Sequence, residues 1–163
     1  MNIFVLDRMP NLAAQYAFDA HIRSGIIENC SMMGFAYNDG DFAPWKWLKH
    51  SNKHFNHPSS KWTRESRQNF DWLLQHSYAL CEEFEFRFGK KHKCLDYVDW
   101  IARNIPIDNL DNSNQTDFPR CFGEYKEDIN ITNDAVQDYR NYYMLAKRHL
   151  EKYTKRNLPF WYR

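Results

Sequence analysis

Apolar residues return along this chain every three or four positions, which is the period of helices rather than of strands. The clearest run spans 56–93. Its centre puts Phe70, Leu73, Leu74, Ser77, Cys81, Phe84 and Phe88 on one face. Ser60 or Thr63 can cap its start, with Ser66 as the cap if the break falls later. Gly89 can end it in the left-handed conformation that needs no Cβ. Trp62 reads as core, and Glu83 with Arg87 as an ordinary i,i+4 surface pair. Upstream, residues 2–6 are a short apolar stretch suited to a strand or an extended arm. Pro10 is placed to open a helix, with Asp7 as its cap. Leu12, Ala13, Tyr16 and Ala17 continue it, and Gly25 is the position to kink or split the segment that carries Asp19, His21 and Glu28.

The stretch 34–55 reads as a loop with short helical pieces. Leu95, Val98, Ile101 and Ala102 give a helix over 92–104, stopped by Pro106. The Asn- and Asp-rich stretch 108–117 is a surface loop, a natural place for an insertion or a mobile lid. Thr132 or Asn133 caps a last helix carrying Ala135, Val136, Tyr139, Tyr143, Ala146, Leu150 and Tyr153. These elements predict a mainly α fold: a compact single-domain helical bundle of about four main helices with a short extended N-terminal segment.

Composition narrows the class. A chain of 163 residues with 28 aromatics and 5 glycines suits helices around a heavy aromatic core. A net charge of +1 does not announce a nucleic-acid binder, and it also excludes an acidic, disordered scaffold. No apolar run approaches the length of a membrane span, and the first residues lack a signal-peptide pattern. Cys30, Cys81, Cys94 and Cys121 form no CxxC pair and read as reduced thiols in a cytoplasmic protein. The C-terminal stretch is basic, with Lys147, Arg148, Lys152, Lys155, Arg156 and Arg163 against Glu151. One such stripe suffices for phosphate contacts.

Candidate chemistry gathers at the two ends of the 56–93 run. Asn56, His57, Trp62, Arg64 and Asn69 stand at its start; Glu83, Arg87, Lys90 and His92 stand at its end. His50, His54 and His57 invite a metal, but no HExxH-type motif supports one, so no metal ligand set is assigned. No motif asks for a cofactor. The cluster 90–93 suits either the negative end of a helix or a phosphate. Tyr125 and Lys126 can stack a base and hold a phosphate.

This pattern resembles a family of small, uncharacterised phage proteins. The matching positions are His54, Asn56, His57, Pro58, Trp62, Arg64, Glu65, Ser66, Asn69, Trp72 and Leu73, then Cys81, Glu83, Arg87, Gly89, Lys90 and His92. Asp19, His21 and Glu28 match a D-x-H…E pattern, whereas Ala20 and Ser24 stand where lysines are usual. Tyr125, Lys126, Tyr139, Arg140, Tyr142 and Tyr143 also match, as does the T-K-R-x-x-P-x-W ending at Thr154, Lys155, Arg156, Pro159 and Trp161. The layout is also distantly similar to that of the phage pyrimidine-dimer DNA glycosylases, which are compact and all-helical. That likeness would imply attack by an N-terminal amine. Asn2 departs from it, because Met is usually kept before a residue of that size.

Together, residues and resemblance imply a cytoplasmic protein, in a host cell if viral, that acts on DNA or a nucleotide. His21, Glu28 and His57 would do the chemistry in a pocket between helices. Asp19, Asn56, Trp62, Arg64, Asn69, Glu83, Arg87, Lys90, His92, Tyr125, Lys126, Arg140 and Tyr143 would bind, with Tyr142 a further stacking candidate. Ala20 and Ser24 put a lysine-based covalent mechanism in doubt. The alternatives are a non-catalytic protein that sequesters a nucleotide-derived defence signal, and a protein-partner module.

Overall fold

The computed structural model describes residues 2–37 and 54–162. Among them there are six α-helices and no strand. They are α1 (Pro10–Gln15), α2 (Asp19–Gly34), α3 (Pro58–Glu65), α4 (Arg67–Phe88), α5 (Leu95–Arg103) and α6 (Ala135–Ala146). The expected long helix over 56–93 is therefore two. Ser66 is extended, at φ −144° and ψ 159°, and its Oγ accepts the main-chain N–H of Asn69. It ends α3 and caps α4. His57, rather than Ser60 or Thr63, caps α3, its ring accepting the Ser59 N–H.

The 22-residue α4 is the axis of the fold, and α1, α2, α3 and α5 all pack on it. Phe70, Leu73, Ser77, Cys81 and Phe84 are buried, as their spacing requires. Gly89 ends the helix at φ 70°, its N–H on the Glu85 carbonyl. The break expected at Gly25 falls elsewhere, at Tyr16–Phe18, and α2 runs through the glycine unbroken. A Cβ at Gly25 would stand 3.4 Å from Leu80 Cδ1, an ordinary packing distance, so neither a break nor a clash requires glycine there. Asp7 does not cap α1 either; its carboxylate accepts from Met9 N–H, and Pro10 opens the helix.

The N-terminal segment is an extended arm. Ile3 and Val5 are fully buried while Phe4 is half-buried, the alternation of an extended chain with one side in the core. The 108–117 loop is tied down rather than free to act as a lid. Asn69 donates to Trp62 O at 2.8 Å and to Thr116 Oγ1 at 2.9 Å, and accepts Thr116 N–H at 3.0 Å. The Asp111 carbonyl takes the N–H of Arg67 at 2.8 Å. Among the described residues, no helix is long and apolar enough to cross a membrane.

Glu83 and Arg87 are not a surface pair. Both are buried, and they hold the two ends of the chain on α4. Arg87 Nε donates to Glu83 at 2.6 Å, Nη1 to Asp19 at 3.0 Å and Ala17 O at 2.9 Å, and Nη2 to Gln15 O at 2.9 Å. Arg156 grips both oxygens of Glu83, at 2.9 and 2.7 Å. Thr154 gives its N–H and hydroxyl to Asp19. Burial alone would raise both carboxyls. Hydrogen bonds from Thr154 and Arg87 to Asp19, and from Arg156 and Arg87 to Glu83, outweigh it and hold both below their ordinary values.

Candidate functional site

A cavity of about 390 Å³ opens where the N-terminal arm, α2, the start of α3 and the end of α6 meet, within the usual size range for small-molecule pockets. Asn2, Phe4, His21, Ser24, Glu28, His57, Cys121, Gly123, Tyr142 and Lys147 line it. The three residues expected to carry chemistry thus stand around one space, although 29 positions separate Glu28 from His57. Asp19 and Arg87, expected beside them, lie instead in the buried ion network on α4.

Each group is held by a local cause. His21 and Glu28 lie seven residues apart on α2, two turns along one helix face. Glu28 accepts the Asn2 main-chain N–H at 2.8 Å, which joins the arm to the helix. The His21 ring stacks on Phe4, centroids 4.1 Å apart, and its Nδ1 shares a hydrogen bond with the Tyr143 hydroxyl. Burial keeps that hydroxyl protonated. Burial, with Lys147 and His149 nearby, pushes the His21 imidazole down to about 4. His57 spends Nδ1 on the Ser59 N–H at 3.2 Å, which leaves its proton on Nε2. Burial, with His54 adding to it, holds His57 below its ordinary value.

At neutral pH the cavity therefore contains two neutral imidazoles, beside the side chains of Glu28 and Lys147. Its aromatic wall is Phe4 and Tyr142, their rings nearly parallel at 16° with centroids 6.3 Å apart. Lys147 Nζ stands 5.1 Å over the Tyr142 ring. Such a set can stack on a flat ring and hydrogen-bond its edge. It carries no surplus of positive charge with which to hold several phosphates.

The other expected binding residues fall into three groups. Trp62 and Asn69 belong to the packing that closes α3 on α4, and Trp62 Nε1 donates to Thr116 O. Arg64 donates to the Phe55 carbonyl at 2.9 Å and lies 3.9 Å over the Phe55 ring, so it secures the turn leading into His57. Arg140 fastens the arm, with Nε on Leu6 O at 2.9 Å and Nη2 on Asp7 at 3.2 Å. Tyr143 is buried behind His21. Tyr125 and Lys126 sit on the 3-10 turn Gly123–Glu127, whose first residue is at the cavity rim; Tyr125 is half-buried and Lys126 exposed. Asn56 is exposed on the turn before His57.

Lys90 and His92 line a different cavity, of about 300 Å³, together with Ile27, Phe84, Lys91, Lys93 and Cys94. Of the basic tail, Arg156 is taken by Glu83, and Lys155 donates to the Phe86 carbonyl at 2.8 Å. His50 lies outside the described residues. Among those described, no three His, Cys, Asp or Glu side chains are grouped to hold a metal.

Phe4, Cys121 and Lys147 are lining residues that the sequence did not single out. Phe4 had a signal, since Asn2 and Phe4 alternate with buried Ile3 and Val5. Lys147 follows Tyr143 by one turn but reads only as part of a basic tail. No protein-family model, curated protein or solved structure matches this chain.

Proposed function

We propose that this protein acts on DNA or a nucleotide by taking a base into the cavity of His21, Glu28 and His57. The observation that carries this reading is the pairing of an aromatic wall with a short, mixed edge of donors and acceptors. In it, Phe4 and Tyr142 stack the base. His57, through Nε2–H, and His21 hydrogen-bond its edge as neutral groups. Glu28 is the carboxylate that takes a proton or stabilises positive charge as the base reacts. Lys147, at the end of α6, meets a phosphate or the departing electron density. The resemblance to small phage proteins includes His21, Glu28, His57 and Tyr142, though not Phe4 or Lys147.

A second reading is sequestration without turnover, and one observation favours it. Ser24 lines the cavity where the resembling proteins carry a lysine, so the amine that could make a covalent intermediate is replaced by a short hydroxyl. Glu28→Gln separates the two. It keeps the shape of the side chain and removes its charge. For an enzyme, base-containing ligands still bind within about threefold, while turnover falls by about two orders of magnitude. Product analysis by mass spectrometry, on a panel of nucleotides and oligonucleotides, measures this. Binding to the wild-type protein with no product from any ligand supports sequestration. If no nucleotide or oligonucleotide raises the melting temperature, both readings fall.

A further inference from the structure

The base cavity has a neighbour. Ser24 and Glu28 line the cavity of the proposed function, while Ile27, on the same helix, lines the one at 90–94. Ile27 and Glu28 are consecutive on α2, so the two hollows open on adjacent faces of that helix. Arg23, one turn before Ile27 on the same face, is exposed, with its guanidinium 4.5 Å over Phe88, beside the lysine run.

The two hollows differ in charge. The first has one lysine against one carboxylate, and its histidines are neutral. The second is ringed by Lys90, Lys91 and Lys93, all exposed, and among the described residues no acidic side chain lines it. Its remaining wall is Ile27, Phe84, His92 and Cys94, and the Cys94 thiol, hydrogen-bonded to Cys30 and beside His92, is pushed down to about 6. The lysine run also comes just after the C-terminal end of α4, where free carbonyls favour cations and hold the cluster in place. Division of labour results: one hollow suits a base, the other the anionic backbone beside it.

We infer that the substrate is a nucleic-acid strand rather than a mononucleotide, laid across α2 with one base in the His21–Glu28–His57 cavity and a neighbouring phosphate at Lys90, Lys91 and Lys93. This strand path rests on the proposed binding of a base. Arg23 meets the backbone beside the second hollow. The occupant is single-stranded or locally unpaired, because a base inside a duplex must leave its stack to enter a cavity lined on several sides.

The test is a triple substitution, Lys90→Gln with Lys91→Gln and Lys93→Gln, at exposed positions outside the base cavity. The probes are thymidine monophosphate and a five-nucleotide thymidine oligomer, each titrated at several salt concentrations. The expected result is an oligomer that binds the wild-type protein at least about tenfold more tightly than the monophosphate. In the triple variant it loses most of that advantage. The slope of log K against log salt falls by about 0.7, for the one phosphate that the lysines no longer neutralise. Monophosphate binding is unchanged.

Equal oligomer affinity and slope in variant and wild type would overturn the strand path while leaving the base cavity standing. So would an oligomer that binds no more tightly than the monophosphate. Failure of both probes to bind the wild-type protein would overturn the underlying reading itself. Displacement of the oligomer by polyglutamate at equal charge would show a general polyanion surface and overturn the assignment to nucleic acid.

Discussion

At the scale of single residues, burial decides what each ionisable group can do. His76 is the sharpest case. It is fully buried on α4, stacked on Trp72, with Asn29 Nδ2 on its Nδ1 at 3.2 Å. Its Nε2 has no hydrogen-bond partner among the described residues. Burial pushes the imidazole down to about 3. A folded state that refuses a proton the unfolded chain accepts near pH 6.5 loses stability as pH falls below that value. His76 should therefore contribute a slope of about 1.4 kcal/mol per pH unit between roughly pH 6 and pH 4. Urea titrations of wild type and His76→Gln over this range should show a shallower dependence in the variant. Equal slopes would mean that the imidazole is protonated in the folded state. Arg87 is the opposite case, a charge kept because every side of it is answered. Arg87→Met leaves Asp19 and Glu83 buried with fewer counter-charges and should cost about 3–5 kcal/mol in chemical denaturation. Asp19 and Glu83 add stability that is complete above their unfolded values, near pH 4 to 5. It is lost as pH falls through their lower folded values. Acid unfolding of the wild type should therefore begin with the histidines and finish with these carboxylates.

At the scale of elements, the ends of α4 show how much was legible and why. The Gly89 terminus was readable because one residue type meets one backbone demand: φ of +70° disfavours any Cβ. Gly89→Ala should cost about 1 kcal/mol with no clash to blame, since no described atom lies within 4 Å of the added carbon. Gly89→Asn should recover part of that in the same melting assay. The start of α4 was harder, because three hydroxyl residues could cap it and only Ser66 takes an extended backbone. Gly25 misled because a glycine inside a helical pattern need not break it: α2 continues through it, and a Cβ there would meet Leu80 at an ordinary 3.4 Å. The apolar faces of α4 and α5 were plain from spacing alone. Glu83 and Arg87 were not. Their i,i+4 spacing is that of a surface pair, and nothing local foretells that the 154–156 segment returns to cover them.

At the scale of the whole molecule, the candidate site was legible as a set of residues but not as a shape. His21, Glu28 and His57 stood out one by one. That they share a hollow depends on the arm carrying Asn2 and Phe4, and on the end of α6. These are long-range arrangements that no periodicity records. The same gap separates Asp19 and Arg87, which match the resembling pattern as well as His21 does, from the space they were expected to line. They build the wall's support instead.

That support has a bearing on how the protein is made. Thr154 meets Asp19 across 135 positions, and Arg156 meets Glu83 across 73. While the chain is still being synthesised, α2 and α4 emerge with Arg87 holding two carboxylates and no lid over them. The closing residues appear long afterwards, and contacts so distant in sequence form late. Nascent chains stalled before position 154 should remain open to proteases that the finished protein resists, so folding is complete only once the 154–156 segment is free to dock on α4.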